Sequence, residues 1–200
     1  MSLVLTEDQR SEIRAWLQDR LSPHRYRHSL GVAETARKLA EGNGVDPALA
    51  ELAGLLHDVA REWSASELIE AAERLEMPLG YLEHMAPMPC LHGPIGSEVA
   101  KETFGVADPG VLAAIAHHTM GREAMRPIEK VVFLADAIEP NRPDAPYIRE
   151  LREVAWQDLD RACRRAYDLT FEYLIKSGPP IHPQANAGRN WLLREEKEKT

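Results

Sequence analysis

Cysteine is scarce in this 200-residue sequence, which contains Cys90 and Cys163 and no others. These two residues do not have the short spacing typical of a disulfide framework or of a cysteine-based zinc site. Long apolar runs are also missing, because no stretch approaches the roughly 20 residues that span a bilayer. The first residues, MSLVLTEDQRSE, lack the basic region and the long apolar run of a secretory signal. These absences predict a cytoplasmic protein without a membrane partner.

Positive charge is in the minority, with 24 lysines and arginines against 32 aspartates and glutamates and a net charge of -8. A negative surface argues against sequence-independent binding to nucleic acid, so no nucleic-acid partner is expected. The same balance does not exclude an anionic substrate. A metal ion or a cluster of arginines would have to supply positive charge locally.

Signals for β-structure are missing too, since we find no sustained two-residue alternation and no hairpin pattern. Apolar residues instead recur with a helical period almost throughout the chain. We therefore predict an all-α fold, a bundle of seven or more helices. No linker or composition boundary divides the sequence, so we expect one domain over residues 1–200. Its parts are a core over about 20–177, a C-terminal strap over 178–193 and a frayed tail over 194–200.

Capping residues, prolines and glycines indicate where the helices begin and end. Thr6, Asp46 and Ser64 each have the pattern of a residue that caps a helix N-terminus. The segment MAPMPCLHGP, residues 85–94, contains three prolines and a glycine and is predicted to be a loop. Further helices are expected over 25–41, 94–104, 109–118 and 128–138 and, as one long helix, over 147–176; a loop and a short helix are expected over 181–193.

Several histidines and acids lie in apolar surroundings where a packed core would favour leucine: His28, His57, Asp58, His92, His118 and Asp136. A buried charge without a partner destabilises a protein by several kcal/mol. Each residue alone could be satisfied by an arginine or by an ordinary hydrogen bond in the core. Because the ordered set combines imidazole and carboxylate on different helices, we favour a site for a divalent metal.

The strings RYRHSLGVAETA, AGLLHDVARE and FLADAIEPNR resemble the motifs of the HD-domain metal-dependent phosphohydrolases. The resemblance implies an all-helical bundle in which His28, His57, Asp58 and Asp136 bind one metal ion. His92 and His118 stand where some members with two ions have additional ligands. We prefer His118 to His117 because the string HTMG is similar to the family pattern HT-x-G, in which the histidine precedes a threonine.

A narrower resemblance covers roughly residues 20–193. HGPIGSEVA, AIAHHTMG, LADAIEPNR and IHPQANAGRNWLL are similar to the YqeK family of bacterial HD proteins. Those proteins hydrolyse diadenosine tetraphosphate symmetrically to two ADP and favour iron. The resemblance implies this reaction, a bound nucleotide of the ADP type and a homodimer. The apolar face of the predicted long helix, which includes Leu151 and Ala162, could belong to a dimer interface or to the core.

Hydrolysis of a phosphoanhydride requires an activated water and positive charge around the phosphates. We assign the catalytic centre to His57, Asp58, His92 and His118. The last two could be ligands of a second metal ion, donors to phosphate or the acid that protonates the leaving group. The sequence leaves one or two ions open, and manganese or cobalt would suit the same ligands as iron.

Arginine binds phosphate oxygens through its planar fork. The residues predicted to bind nucleotide or phosphate are Arg25, Arg61, His92, His118, Thr119, Arg142, His182 and Arg189. The arginines could equally be surface cations of an acidic protein. The strap that contains His182 could close over a nucleotide, or it could simply cover the bundle.

Two alternatives from other functional classes remain. A different HD nucleotidase or phosphodiesterase would share the metal site and act on mononucleotides or cyclic dinucleotides. A non-catalytic module that senses nucleotides would retain the metal for stability, although none of the predicted ligands is missing.

Overall fold

The computed structural model describes residues 6–198, which form eleven α-helices and no β-strand. The predicted all-α fold is therefore confirmed. None of the described helices is both long and apolar enough to cross a membrane. The helices are α1 (Glu7–Arg20), α2 (Pro23–Gly42), α3 (Pro47–Leu56), α4 (Ala65–Arg74), α5 (Tyr81–Met85), α6 (Pro87–Phe104), α7 (Pro109–His117), α8 (Pro127–Ile138), α9 (Pro146–Ala155), α10 (Leu159–Ser177) and α11 (Pro183–Glu198).

The predicted capping residues begin the helices as expected. The Thr6 side chain accepts a hydrogen bond from the Gln9 amide, and Asp46 accepts from the amides of Ala48 and Leu49. Ser64 accepts from the Glu67 amide. Amides in the first turn of a helix have no carbonyl partner within the helix, so these side chains stabilise α1, α3 and α4.

The loop predicted over residues 85–94 is wrong, because α6 begins at Pro87 and continues through this segment. Pro87 and Pro89 lie in the first turn, where a missing amide hydrogen removes no helical bond. Pro94 lies inside the helix and does remove one bond. His92 consequently lies within α6 rather than at its start, and tertiary packing of α6 outweighs the local preference of three prolines.

The single long helix predicted over residues 147–176 is also wrong. The chain forms α9 and α10, which are separated by residues 156–158. Asp158 is extended, and its carboxylate accepts hydrogen bonds from the amides of Asp160 and Arg161, which begins a new helix. No glycine or proline marks this break. The apolar face that was a candidate dimer interface is mainly core, since Leu151 and Ala162 are buried.

The tail predicted to fray over residues 194–200 is helical as far as Glu198, where α11 ends. Residues 199–200 lie outside the described range. Arg164 of α10 donates to Glu196 over 2.9 Å, which ties this last part of α11 to the bundle. The helix is thus longer than the short one expected from the sequence.

Helices α2, α3, α6, α7 and α8 pack against one another and surround the predicted site. The crossing of α6 and α7 is especially close at Gly93, where a Cβ atom would lie 2.7 Å from the Ala116 carbonyl oxygen. Such a distance is too short for any residue with a side chain. Glycine next to His92 therefore brings this histidine close to the end of α7.

Candidate metal centre

The predicted ligands come from five helices and lie together in the bundle. His28 is on α2, His92 on α6 and Asp136 on α8. The other residues follow directly at helix C-termini: His57 and Asp58 after α3, and His118 after α7. The four histidines and Asp58 are buried. Convergence of side chains from facing helices is the usual way in which bundles build a metal site.

Each histidine in the cluster is oriented through its Nδ1 atom. His57 Nδ1 lies 2.7 Å from the Gly54 carbonyl oxygen, and His118 Nδ1 lies 2.8 Å from that of Ile115. His92 Nδ1 bonds to the Met88 carbonyl in the same way. A carbonyl can only accept, so Nδ1 carries the hydrogen in these three rings. Their Nε2 lone pairs then face the cluster, as ligands require.

The Nε2 atoms of the cluster are close to one another. The distance is 3.3 Å between His57 and His28 and 3.0 Å between His92 and His118. Two lone pairs at this distance repel unless a cation or a proton lies between them. The Asp58 carboxylate lies between the two pairs, 3.6 Å from His57 Nε2 through one oxygen and 3.4 Å from His92 Nε2 through the other.

Two overlapping sets of ligand atoms have all members within 4.8 Å: His28, His57 and Asp136, and His57, Asp58 and His118. His28 Nε2 lies 3.0 Å from Asp136 Oδ1, which extends the cluster to α8. Imidazole nitrogen together with carboxylate oxygen suits divalent transition metals. The residues present therefore fit a divalent ion, and a compensating cation would relieve the repulsion among them.

Burial and mutual charge separate the pKa values of the cluster. Burial lowers the pKa of His57 to about 4, although the Asp58 charge opposes this change. Burial also lowers the pKa of His92. For Asp58 burial acts in the opposite direction, but His57, His118 and His92 hold its pKa well below the usual range. The pKa of Asp136 is likewise lowered, mainly by His28, against the effect of burial.

The pKa of His28 and that of His118 are raised, because nearby carboxylates outweigh the effect of burial. At neutral pH the centre therefore combines two ionised carboxylates with neutral imidazoles at His57 and His92. The two carboxylates and the two neutral imidazoles offer lone pairs to a cation, which would have to displace the protons that the raised pKa values favour on His28 and His118.

Three of the four predicted arginines lie at this centre. Arg25 is 3.4 Å and Arg61 3.9 Å from the Asp58 carboxylate. Arg142 donates to Asp136 twice, to Oδ1 over 2.6 Å and to the carbonyl oxygen over 2.9 Å. The acids do pair with arginine, as the simpler interpretation required, and the Nε2 atoms of the histidines remain close to one another inside the cluster.

An apolar cavity of about 160 Å³ lies next to the centre. Thr119 connects the two, because it lines the cavity while its hydroxyl oxygen is 3.2 Å from His92 Nε2 and 3.0 Å from His118 Nε2. Most of the cavity wall comes from the C-terminal part of the chain: Tyr167, Thr170, Phe171, Leu174, Pro179, Pro180, His182 and Ala185. The predicted strap therefore lies beside the site.

Two predicted nucleotide ligands lie in the C-terminal segment. His182 lines the cavity, and its Nε2 atom is 3.0 Å from a carboxylate oxygen of Glu83 on α5. Arg189 donates to Asp168 of α10 instead of contacting the acids of the metal centre. The structure thus brings His182 to the cavity and places Arg189 in the contact between α10 and α11.

Sequence reasoning missed Glu139, which is buried and accepts a hydrogen bond from His28 Nδ1 over 3.1 Å. Its other oxygen accepts from the backbone and side chain of Asn141. Both residues occur in the string FLADAIEPNR, so the signal was present as an acid directly after an apolar helix. Between the two adjacent histidines, His118 joins the cluster, whereas His117 bonds to Gln184.

The model of the HD domain family matches residues 25–141, more than half of the chain. The chain belongs to the HD domain family, whose members bind divalent metals. It is 37% identical to the symmetrical bis(5'-nucleosyl)-tetraphosphatase of Bacillus subtilis, with 92% of this chain and 97% of the relative covered. A protein of the same name from Halalkalibacterium halodurans is 39% identical, with 88% of this chain and 93% of the relative covered.

A solved structure supports the same relationship. The predicted HD superfamily hydrolase involved in NAD metabolism from Clostridium acetobutylicum superposes with a TM-score of 0.90 at 35% identity. The match covers 93% of this chain and 97% of that one. Both the fold and its extent are therefore shared with that solved structure.

Proposed function

We propose that this protein hydrolyses diadenosine tetraphosphate symmetrically into two ADP. The observation that carries the proposal is the double cluster of histidine and aspartate, which has arginines on its acids and an apolar cavity beside it. The names of the relatives from Bacillus subtilis and Halalkalibacterium halodurans support the same activity. A metal centre, cations for phosphate and an apolar pocket for a base are what this reaction needs.

The residues that would hold the first ion are His28, His57, Asp58 and Asp136. His92 and His118 would complete a second site together with Asp58, which lies close to both. When bound there, a divalent ion supplies Lewis acidity toward phosphoryl oxygens and makes water a stronger acid. Iron is our preferred ion, with manganese and cobalt as further candidates for these nitrogen and oxygen ligands.

The arginines would bind the phosphate chain from two sides of the centre. Arg25 and Arg61 flank Asp58, and Arg142 flanks Asp136. Their side chains remain partly exposed, so an incoming phosphate can reach them. Each can exchange part of its contact with a carboxylate for a charge-assisted bond to a phosphate oxygen. This exchange would place the anhydride beside His57, Asp58, His92 and His118.

One adenosine would enter the cavity beyond Thr119. The walls formed by Phe171, Pro179 and Pro180 are apolar, and purine rings have apolar faces. The strap over residues 178–193 would cover this nucleoside, with His182 fixed by Glu83 as part of the cover. Because Arg189 already pairs with Asp168, we assign it to support of the strap. Thr119 would donate its hydroxyl hydrogen to a phosphate oxygen next to the metal.

We further propose a cytoplasmic homodimer, as the resemblance to bacterial HD proteins implies. Light scattering of the purified protein measures the mass directly. A mass near twice that of one 22.5-kDa chain would support the dimer. A monomeric mass across the concentration range would contradict it.

A substrate panel separates the proposed activity from that of other HD hydrolases. Anaerobically purified protein is incubated with diadenosine tetraphosphate, ADP, AMP and a cyclic dinucleotide, and the products are resolved by chromatography. We expect turnover of diadenosine tetraphosphate with ADP as the product. Release of AMP plus ATP would place the cut elsewhere in the chain of phosphates. Turnover of a mononucleotide or cyclic dinucleotide alone would favour a nucleotidase or phosphodiesterase.

A further inference from the structure

Thr119 lies on a tight turn, which we call the histidine turn, residues 117–121. The turn leads away from the end of α7, and the Gly121 amide closes it by donating to the His117 carbonyl over 2.7 Å. His118 and Thr119 lie between these two ends. The position of the Thr119 hydroxyl relative to the metal centre therefore depends on how firmly this turn is held.

Two side chains from the C-terminal helices hold the histidine turn. The Tyr167 hydroxyl of α10 donates to the Met120 carbonyl over 3.2 Å. The Gln184 amide of α11 donates to the Gly121 carbonyl over 2.6 Å and lies 3.3 Å from His117 Nδ1. The amide nitrogen of glutamine has two hydrogens, so Gln184 can bond to both ends of the turn at once.

Tyr167 can contact the histidine turn only because residue 121 is a glycine. Gly121 has a φ angle of +58°, and a Cβ atom built there would lie 1.7 Å from the Tyr167 hydroxyl oxygen. Any residue with a side chain would displace the phenol. The glycine of the HTMG string thus serves two purposes, a left-handed backbone and space for Tyr167.

The two helices that carry these side chains are themselves braced. Asp168 of α10 accepts from Arg164 over 2.6 Å and also from Arg189 of α11. Arg164 in turn donates to Glu196 of α11 over 2.9 Å. This network joins α10 to α11 near Tyr167, so the hydroxyl and the amide reach the histidine turn from a rigid support.

We propose that Tyr167 and Gln184 are positioning residues for the hydrolysis, which hold the Thr119 hydroxyl at the metal centre through the histidine turn. A hydroxyl has one hydrogen and can donate to only one of the two Nε2 atoms near it. If those nitrogens bind metal, the hydroxyl hydrogen is available to a phosphate oxygen, and the turn determines where the hydroxyl oxygen lies. The inference rests on the proposed function, because the reaction that Thr119 serves is that hydrolysis.

The test uses Tyr167→Phe and Gln184→Met, which remove hydrogen-bonding groups while keeping much of the side-chain volume. Matched controls are Tyr173→Phe on α10 and Gln157→Met between α9 and α10, since both residues are exposed and lie outside the strap. With diadenosine tetraphosphate we expect kcat to fall about tenfold in each test variant while KM changes by less than about twofold. Metal content and thermal midpoint of the controls should match those of the wild type.

A second measurement does not depend on activity. Hydrogen exchange of the Gly121 amide reports how often the histidine turn opens. We expect exchange to be about fivefold to tenfold faster in both test variants, as loss of one hydrogen bond predicts, and unchanged in the controls. Unchanged exchange would overturn the positioning role.

Two kinetic outcomes would show that Tyr167 and Gln184 are not positioning residues. A kcat within about twofold of the wild type in both variants would overturn it. A rise in KM at unchanged kcat would make the residues contacts of the nucleoside instead. If the wild type itself releases no ADP, the proposed function fails, while the exchange experiment still tests whether Tyr167 and Gln184 hold the turn.

Discussion

Residues of the centre are arranged so that like groups face one another. The Nε2 atoms of His92 and His118 are 3.0 Å apart, and Asp58 and Asp136 both approach histidines from the same buried region. Nitrogen lone pairs that face one another at this distance repel, and a cation between them would offset the repulsion. The cluster is thus better suited to ion binding than to the support of the core.

Glu139 fixes His28 from behind, which gives a prediction about metal affinity. Its carboxylate accepts a hydrogen bond from His28 Nδ1. Glu139→Gln therefore weakens this bond, holds the imidazole ring of His28 less firmly and makes its Nε2 atom less basic. We expect manganese affinity to fall about 10- to 100-fold, as is typical when the partner of a ligand histidine is changed. Titration calorimetry measures the affinity, with Glu153→Gln on the exposed side of α9 as the control. Equal affinity in both variants would contradict this role.

Cys90 offers a prediction about thiol chemistry in the cavity. Burial, with the Glu83 charge as a smaller cause, raises the pKa of the Cys90 thiol to about 11. Because a raised pKa keeps the thiol neutral, only about one molecule in a thousand carries the reactive thiolate at pH 8. Alkylation should be slow at pH 8 and accelerate about tenfold per pH unit up to the pKa. A rate that levels off below pH 9 would show that the thiol is not shielded in this way.

The clustered histidines and acids could be singled out from the sequence because they are polar in apolar surroundings, and the resemblance to HD proteins implied that they bind a metal. Their supporting residues could not be singled out. Glu139 is 111 positions from His28, and Gln184 is 63 positions from Gly121. An acid or an amide at a helix end has many ordinary explanations, and only the folded chain shows which carbonyl or ring it meets.

At the scale of elements, the short helices α3 and α7 each have a histidine of the cluster at the C-terminus. Helices α3 and α7 have buried apolar stems, and each begins with an aspartate cap followed by proline. His57 and His118 directly follow these two helices. The Nδ1 atom of each bonds to the carbonyl oxygen three residues earlier, in the last turn of the helix. The end of the helix therefore both positions the ring and selects its tautomer.

The crossing of α6 and α7 can be tested at Gly93. In Gly93→Ala the new Cβ atom would lie 2.7 Å from the backbone oxygen of Ala116, and the helices must separate to admit it. We expect a loss of stability of about 1–3 kcal/mol, as for other overpacked sites. Hydrolysis should fall as well, because His92 moves away from His118.

Gly42→Ala is the matched control, since a Cβ atom there meets nothing within 4 Å. It should be neutral or stabilise α2 by up to about 1 kcal/mol. Urea unfolding measures both variants. Equal stability of the two alanine variants would mean that α6 and α7 have room to adjust.

The ends of a helix could be predicted where a capping side chain marks them. They could not be predicted where tertiary packing determines whether the helix continues. Ser64 and Asp46 marked their helices correctly. The prolines of residues 87–94 indicated a loop, yet α6 tolerates them because two lie in its first turn. The break before Asp158 has no proline or glycine, so a helical pattern continued through it.

On the scale of the whole molecule, the helical class follows from periodicity, but the cavity does not. Its wall combines residues of α5, α6, α8, α10 and α11 with Thr119. These segments lie far apart in the chain, and no sequence pattern states that they enclose a space. The packing of α10 and α11 on the bundle creates it.

Metal binding should stabilise the entire fold. An ion that binds the folded protein at about 100 times its dissociation constant adds about 2.7 kcal/mol. For a chain of this size, that corresponds to a rise in thermal midpoint of several degrees. We expect scanning calorimetry to record this rise when manganese is added to chelator-treated protein, and His57→Ala to abolish it. An equal rise in the variant would place the stabilising ion elsewhere.

The most direct test of the central claim is the hydrolysis of diadenosine tetraphosphate by anaerobically purified protein. Wild type and His57→Ala are assayed in parallel with iron, manganese, cobalt or no added metal, and the products are separated by chromatography. We expect metal-dependent release of ADP alone by the wild type and loss of this release in the variant. If no metal supports turnover while nucleotide still binds, the protein is a nucleotide-sensing module and not a hydrolase.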